Sequence, residues 1–317
     1  MKKTQKKRAV SGILLLDKSQ GATSNRALQC VKRLFNAQKA GHTGSLDPLA
    51  TGMLPICFGE ATKVSSFLLN ADKCYQTTMR LGQVTDTGDA DGQVLREVPV
   101  EPIDPEKLQA ILKEFMGTTM QTPPMYSALK HQGQPLYVLA RKGVTVRRAE
   151  RQVTISELSL IQHTDTELKL QVRCSKGTYI RTLVEDIGRR LGCGAHVKTL
   201  RRLYVEPFKS EPTITLSELE MIADDYIELD KHLKPVDYAL GHWPSARLST
   251  DGARSLFMGR EVTSVTIDDA PLGSLIRLYS ADQGFIGMGK VLPNGRVAPK
   301  RLIQQPSTTN RVLVDSR

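Results

Sequence analysis

The chain of 317 residues is 40% hydrophobic and 24% charged, a composition typical of an ordinary globular protein with a sizeable core and two domains. Its 44 lysine and arginine residues outnumber its 33 aspartate and glutamate residues, which gives a formal net charge of +11. No stretch is long and apolar enough for a membrane span or a signal peptide, so we expect a cytoplasmic protein without a membrane partner.

The excess of positive charge is the first indication of a partner. It favours a polyanion such as nucleic acid, although a solvated basic surface explains the charge alone equally well. The five cysteines contain no C-x-x-C pair and the six histidines no H-x-x-x-H pair. We therefore expect reduced thiols that fill the core, and neither a zinc site nor another metal site.

The N-terminal part of the chain is predicted to form a strand, a helix and a long loop. Residues 12–16 are apolar and are expected to form a buried strand. A helix is expected to begin near Ser24 and to end at Gly41. Its inner face carries Leu28, Val31, Leu34 and Phe35. The glycine-punctuated segment from Gly41 to Phe58 is then predicted to be a loop.

One acid lies in that predicted loop. Asp47 is the only carboxylate among the 18 residues from Gly41 to Phe58, and Pro48 favours extended backbone at Asp47. A glycosidase would need a second carboxylate at a set separation, and the sequence presents no matching acid. A lone aspartate can act as a nucleophile or base when its surroundings order it, although Asp-Pro in a glycine-rich loop is usually only a turn.

The next part of the chain is predicted to contain two helices and a strand. One helix covers about residues 61–69, and another runs from Asp104-Pro105 to Gly117. Residues 75–81 alternate as a strand, with the odd-numbered side chains on one side. The acidic segment DTGDADG at 86–92 does not match the ligand positions of a calcium loop, so we interpret it as a turn.

Residues 122–148 form an insertion with little core periodicity. Adjacent prolines and several basic residues are interleaved there with Tyr126 and Tyr137. This pattern favours an exposed segment that contacts an anionic partner. An irregular surface connection explains the pattern nearly as well.

The remaining elements are predicted from shorter patterns. Paired strands are expected at 152–161 and 168–174, followed by a helix that ends at Gly192. From Trp243 the character changes to short strands at 275–279 and 285–291, a short helix after Ser249 and an Asn294-Gly295 hairpin turn. We therefore predict a small β-rich domain in the C-terminal part of the chain.

Several blocks of the sequence together resemble one family. GHTGSLDPLATGMLPICFGEATK at 41–63 resembles the catalytic signature of the TruB family of tRNA pseudouridine synthases. Further blocks follow the family's order at 14–24, 73–92, 122–143, 175–188 and 195–202, so the resemblance covers about residues 11–210. The C-terminal segment resembles, more weakly, the small PUA RNA-binding domain that often follows.

The resemblance implies a fold and a division of the chain. The fold is α+β, with a mixed, mostly antiparallel bent sheet and flanking helices, the pseudouridine synthase fold. The division is a basic N-terminal arm at 1–10, a catalytic domain at 11–242 that carries the insertion at 122–148, and a PUA-like RNA-binding domain with a polar tail at 243–317.

The resemblance also assigns roles to residues by their position in the motifs. Asp47 matches the catalytic aspartate, Arg181 its ion-pair partner, and Tyr75 the tyrosine that packs on the base and takes part in proton handling. The residues assigned to substrate binding near the base are His42, which would stack where the flipped nucleotide leaves its loop, Tyr179 and Leu200 in the base pocket, and Lys18 in a structural motif beneath the site. The residues expected to contact phosphates are Lys130, Arg141, Lys142, Arg147 and Arg148 of the insertion. Arg201 and Arg202 are also assigned to substrate binding.

The implied activity is isomerisation of the T-loop uridine at position 55 of tRNA, by a stand-alone monomer without metal, cofactor or protein partner. One alternative is a non-catalytic RNA-binding or RNA-folding protein, which the presence of Asp47, Tyr75 and Arg181 argues against. The other is a guide-RNA-dependent synthase, which the insertion argues against, because it is similar to the segment that grips the T stem-loop in stand-alone enzymes.

Overall fold

The structure, a computed structural model, describes residues 6–263, 266–267 and 270–304. Its helices are α1 Ser24–Leu34, α2 Ser65–Leu69, α3 Pro105–Glu114, α4 Leu136–Ala140, α5 Ile180–Leu191, α6 Leu216–Met221, α7 Tyr226–Lys231 and α8 Thr250–Phe257, with 3₁₀ turns at Gly59–Lys63 and Tyr238–Leu240. Its strands up to the insertion are β1 Gly12–Lys18, β2 Ala40–His42, β3 Thr51–Phe58, β4 Lys73–Leu81, β5 Gln83–Thr85, β6 Val94–Glu97, β7 Gly117–Gln121, β8 Lys130–His131 and β9 Gln134–Pro135. The later strands are β10 Arg151–Thr164, β11 Glu167–Cys174, β12 Ala195–Val205, β13 Ile214–Thr215, β14 Leu233–Lys234, β15 Ser245–Leu248, β16 Thr266–Ile267, β17 Leu275–Ser280, β18 Gly284–Val291 and β19 Val297–Leu302.

A ten-stranded sheet forms the centre of the fold, in the order β13-β1-β3-β12-β4-β11-β10-β7, with β14 on β1 and β2 on β3. All its pairings are antiparallel except two short ones, β1 with β13 and β3 with β12. The predicted mixed, mostly antiparallel sheet is therefore confirmed. The alternation predicted for β4 is also confirmed, because Tyr75, Thr77, Met79 and Leu81 are buried.

A second, five-stranded sheet follows in the order β16-β15-β17-β18-β19 and confirms a β-rich C-terminal part. Ser249 caps α8 by accepting a hydrogen bond from Gly252, as predicted. The C-terminal part packs against the preceding part of the chain through an apolar cluster of Val64, Leu240, Phe285, Met288 and Ile303. The boundary at 242/243 and the PUA likeness stay predictions. Residues 1–5 of the predicted arm and residues 305–317 of the predicted tail lie outside the described residues.

Two predictions for the N-terminal part were wrong. Helix α1 ends at Leu34 rather than Gly41, because Asn36 takes a left-handed conformation (φ 46°) and the chain then turns into β2. The second half of the predicted loop at 41–58 is strand β3, which is buried along nearly its whole length between β1 and β12. Glycine and proline indicated a loop there, but burial of the apolar residues between two neighbouring strands outweighs that local preference.

The remaining helix predictions hold with one adjustment. Asp104 caps α3, which begins at Pro105, and Gly117 follows its end with φ 88°. The helix expected at 61–69 is divided into the 3₁₀ turn and α2. Among the helices in the described ranges, none is long and apolar enough to cross a membrane.

Strand β3 meets β12 at one close crossing that fixes the loop between β2 and β3. Gly52 pairs with Arg202 in parallel register and has φ +100°. A Cβ atom at Gly52 would lie 2.2 Å from the Arg202 carbonyl oxygen, a distance that atoms in real proteins do not show. Glycine is therefore required here by both backbone conformation and space.

We predict that Gly52→Ala destabilises the protein much more than Gly21→Ala. Gly21 also has a positive φ of +83°, but a Cβ atom added there would have no neighbour within 4 Å, so alanine adds only backbone strain of about 1–2 kcal/mol. At Gly52 the clash adds the roughly 1–3 kcal/mol typical of overpacking. Urea unfolding of the two variants measures the difference, and equal free energies of unfolding would contradict the close crossing.

Candidate active site

The loop that carries Asp47, residues 43–50 between β2 and β3, is held by hydrogen bonds to buried groups. The Ser24 hydroxyl accepts from the Leu46 amide at 2.7 Å and donates to the Leu46 carbonyl at 2.9 Å. The Thr43 amide donates to the Pro55 carbonyl, and the Gly21 amide donates to the Pro48 carbonyl. The backbone on both sides of Asp47 is thereby fixed against β3 and the start of α1.

Lys18 lies beneath this loop rather than in the cleft. Its side chain is 1% exposed, and its Nζ donates to the carbonyl oxygens of Ser19, Ala22 and Pro48 at 2.9, 2.7 and 3.4 Å. Burial lowers the pKa of Lys18 to about 8, and the Asp47 charge opposes that fall. We correct its assignment to substrate binding, because a lysine with no exposed ammonium cannot contact RNA.

Arg181 joins Asp47 to two other segments. Its Nε lies 3.0 Å from the Asp47 Oδ2, while its two terminal nitrogens donate to the carbonyl oxygens of Thr87 at 2.9 Å and Tyr126 at 2.6 Å. Asp89, which is 5% exposed, lies 3.7 Å from the same guanidinium. The side chain of Arg181 is 5% exposed, so these contacts form in a largely dry environment where charge-assisted bonds are strong.

The sequence around Arg181 explains its placement. Tyr179 precedes α5, and the Gln121 amide holds its backbone from both sides, accepting from the Tyr179 nitrogen at 2.7 Å and donating to its oxygen at 3.0 Å. Gln121 ends β7, so the edge of the main sheet fixes the start of the helix that carries Arg181. Sequence patterns gave no signal for this pair, because the two residues are far apart in the chain.

Asp47 keeps 42% of its side chain exposed, although its partner Arg181 is buried. Burial of its surroundings raises the pKa of Asp47 above its usual value, and Asp89 adds to the rise, while Arg181 and Lys18 oppose it. A carboxylate with opposing perturbations of this kind, set in a cleft, is typical of a functional site.

Three of the predicted base-contacting residues surround Asp47. Burial raises the pKa of both Tyr75 and Tyr179, and the Asp47 charge adds to each rise, so the two phenols lie in one electrostatic environment with the carboxylate. His42 ends β2, and burial followed by the Arg202 charge lowers its pKa. Its Nδ1 is buried without a hydrogen-bond partner in the described chain.

Leu200 completes the set on β12. It is 8% exposed and lies opposite Thr77 of β4, two residues from Tyr75 on the same face of the sheet. Strands β4 and β12 therefore bring Tyr75 and Leu200 together.

The adjacent arginines on β12 have different environments. Arg201 keeps 44% of its side-chain surface exposed and forms a double hydrogen bond with Asp17, at 3.0 and 2.5 Å. Arg202 is 1% exposed and donates from Nε to the Met53 carbonyl at 2.7 Å. We correct its assignment to substrate binding, because strand alternation turns its side chain into the core.

The insertion is exposed but tied to the site through Tyr126. Its basic residues Lys130, Arg141, Lys142 and Arg147 form no ion pair within the described residues. Arg141 lies over the Tyr137 ring at 5.6 Å, and Arg148 donates to the Pro123 carbonyl at 3.2 Å. The first four cations are thus free to meet an anionic partner, while Arg148 already has one contact.

Asp89 is the functional candidate that the sequence interpretation missed. Its carboxylate accepts from the Thr87 hydroxyl at 2.5 Å and from the Asp91 amide at 3.2 Å, and faces Arg181. The acidic turn at 86–92 therefore orients a buried acid. Across the described ranges, no group of three or more His, Cys, Asp or Glu side chains is placed to hold a metal ion.

The fold of this chain is similar to that of a solved structure. The archaeal box H/ACA sRNP Nop10–Cbf5 complex contains a chain that matches with a TM-score of 0.70 and 25% identity, over 92% of this chain and 85% of that one. The two chains therefore share one fold over most of their length.

Sequence comparison identifies the family. The family model described as "TruB family pseudouridylate synthase (N terminal domain)" matches residues 32–180. The models described as "tRNA pseudouridylate synthase B C-terminal domain" and "Pseudouridine synthase II TruB, C-terminal" match residues 181–241 and 244–303. The chain belongs to the TruB family of pseudouridylate synthases.

Two relatives show how close the similarity is. A protein named tRNA pseudouridine synthase B from Nitrosococcus oceani is 54% identical over 93% of this chain and 95% of its own length. A protein of the same name from Coxiella burnetii is 52% identical over 94% of this chain and 96% of its own.

We predict that Arg181→Met raises the pKa of Asp47 further. The guanidinium now opposes the rise that burial causes, so its removal should move the titration of Asp47 to higher pH. The measurement is the pH dependence of the Asp47 carboxyl ¹³C shift, assigned with Asp47→Asn. Arg189→Met, on the exposed side of the same helix and paired with Asp186, is the matched control and should leave the midpoint unchanged. An unchanged midpoint in Arg181→Met would contradict the ion pair.

Proposed function

We propose that the chain converts a uridine of tRNA to pseudouridine, and that Asp47 is the residue that performs the chemistry. The observation that carries the proposal is the buried Arg181 guanidinium, which holds the partly exposed Asp47 carboxylate at 3.0 Å, with the charge of that carboxylate acting on both Tyr75 and Tyr179. Family membership and relatives named tRNA pseudouridine synthase B, 52–54% identical over nearly the whole chain, support it.

The proposed reaction is an isomerisation. The C–N glycosidic bond breaks, the uracil rotates, and a C–C bond forms between the sugar and C5. C5 then loses one proton, and N1, which has lost its bond to the sugar, takes up one proton. Atoms and electrons balance without water or an oxidant, so one carboxylate at the sugar or base is sufficient if the detached uracil stays enclosed. Arg181 would keep Asp47 ionised at neutral pH, against the tendency of burial to protonate it.

The reaction requires that the uridine leaves its stack. Flipping a nucleotide costs a few kcal/mol of unstacking, and stacking on aromatic or imidazole rings returns about 1–3 kcal/mol per base. In this proposal Tyr75 packs on the uracil, and His42 takes the space that the uracil vacates in the RNA loop. A neutral imidazole suits that role, and the lowered pKa of His42 favours the neutral form.

The finer proposal is that the substrate is uridine 55 in the T stem-loop, bound by a stand-alone monomer. The exposed cations of the insertion support a contact with phosphates on a folded RNA, which would be recognised by its shape. The hydrogen bond from Arg181 to the Tyr126 carbonyl, which joins the insertion to the ion-pair partner of Asp47, supports an insertion that acts close to Asp47.

Two other functions are less well supported. A non-catalytic RNA-binding protein needs a basic surface. It has no use for a carboxylate such as Asp47, because burial raises the pKa of that group while the buried Arg181 lowers it. A guide-dependent synthase is suggested by the Nop10–Cbf5 complex, but that chain is 25% identical, against 52–54% for the bacterial tRNA enzymes.

We predict that Asp47→Asn lowers turnover by several orders of magnitude and changes tRNA affinity little. Asparagine keeps the size and hydrogen-bonding reach of aspartate but loses the charge and the nucleophilic oxygen. Tritium release from C5-labelled uridine in a T stem-loop transcript measures turnover, and filter binding measures affinity on the same preparation.

A transcript in which cytidine replaces uridine 55 is the control for position. It should bind and release no tritium. An Asp47→Asn preparation that is active and free of wild-type enzyme would overturn the assignment of Asp47, whereas release from the cytidine transcript would overturn only the assignment of position 55.

We also predict that Arg147→Gln with Arg148→Gln flattens the salt dependence of tRNA binding. Each phosphate contact contributes about −0.7 to −0.9 to the slope of log affinity against log salt, so losing two should reduce the slope by up to roughly 1.4–1.8. Arg189→Gln with Arg190→Gln removes the same charge from α5, where both arginines are paired with acids, and should leave the slope unchanged. Equal slopes in the two double variants would place the RNA away from the insertion.

A further inference from the structure

Arg202 is the largest fully buried side chain described, and it lies against the catalytic loop. Its Nε donates to the carbonyl of Met53 at 2.7 Å, and one terminal nitrogen donates to the carbonyl of Gly44 at 3.3 Å. Gly44 precedes Asp47 and Met53 follows it. The guanidinium therefore connects the two ends of the loop that presents Asp47.

The same side chain faces Tyr75. Arg202 on β12 and Tyr75 on β4 are direct partners in the antiparallel register, and directly opposite side chains lie on the same face of a sheet. Burial raises the pKa of Tyr75, and the positive charge of Arg202 opposes that rise. Arg202 also lowers the pKa values of His42 and Lys18 through its charge, after burial as the main cause in both.

We propose that Arg202 is a positioning residue for the reaction, whose buried guanidinium holds the Asp47 loop and the Tyr75 hydroxyl at a fixed separation. This inference rests on the function proposed above for Asp47. Arg202 itself touches no substrate, since 1% of it is exposed. It acts through the Gly44 carbonyl on one side and the phenol on the other.

A purely structural role explains the arrangement less well. A buried charge without an ionic partner is costly, and apolar residues of similar volume often stabilise a core as well or better. Arg202 forms no ion pair within the described chain, and its hydrogen-bond partners are backbone carbonyls at the ends of the loop. Arg202 therefore stabilises the geometry of the loop more than it stabilises the core.

The test compares Arg202→Met and Arg202→Lys with Arg173→Met. Arg173 lies on β11 opposite Cys74, and pairs with Glu206. It is a matched arginine of the same sheet outside the site. The readouts are the single-turnover rate at saturating enzyme, the tRNA dissociation constant and the melting temperature.

Arg202→Met should lower the single-turnover rate by about 100-fold or more, the usual effect of a small misplacement of reacting groups, with little change in affinity. Arg202→Lys, which keeps the charge and one donor, should recover part of the rate. Arg173→Met should change the melting temperature without changing the rate. In a Tyr75→Phe background, Arg202→Met should have a smaller effect than in the wild type.

A folded Arg202→Met variant with the wild-type rate would overturn the proposal, as would additive effects of Arg202→Met and Tyr75→Phe. If Arg202→Met does not fold, Arg202→Lys decides, because a wild-type rate there would show that the fork of the guanidinium is not needed. The ¹³Cζ titration of Tyr75 needs no turnover, and its midpoint should rise in Arg202→Met. Absence of tritium release by the wild type would instead overturn the proposed function, and an unmoved Tyr75 midpoint would then overturn the role of Arg202 independently.

Discussion

The arrangement of the site depends on one buried cation. The Arg181 guanidinium is 5% exposed and has lost most of its water, so its nitrogens must be satisfied by protein groups. The loop supplies Asp47, the acidic turn supplies the Thr87 carbonyl and Asp89, and the insertion supplies the Tyr126 carbonyl. Three segments that are distant in the chain are thereby fixed at one point, and each contributes a part that the others lack.

A second consequence is electrostatic. Lys18, Arg181 and Arg202 are all buried around the loop, and in this part of the core two acids, Asp47 and Asp89, face them. Arg181 and Lys18 oppose the effect of burial on Asp47, which favours the ionised carboxylate. Lys18 and Arg202 bond to backbone carbonyls rather than to Asp47, so the pair with Arg181 is its direct ionic contact in the described chain.

Sequence patterns predicted the local elements well because their causes are local. The alternation in β4, the Asp104-Pro105 start of α3 and the Ser249 cap of α8 each depend on residues within one turn or strand. The predicted end of α1 and the loop predicted where β3 lies were wrong, because pairing with distant strands decides the structure of both segments. The resemblance to a family identified Asp47, Tyr75 and Arg181 as candidates, but the burial of Lys18 and Arg202 depends on crossings such as Gly52 with Arg202, which no sequence pattern shows.

The net charge of the chain predicts RNA binding only after the cations used inside the protein are separated from those exposed on its surface. Among the cations predicted to contact substrate, Lys18 and Arg202 are used inside the protein, Arg201 is paired with Asp17, and Arg148 bonds to the Pro123 carbonyl. Lys130, Arg141, Lys142 and Arg147 remain exposed and unpaired within the described residues, all on the insertion. A formal charge of +11 therefore overstates the binding surface, since part of it stabilises one carboxylate in the core. The number of phosphates neutralised should follow the exposed, unpaired cations, because only those release counterions when RNA binds.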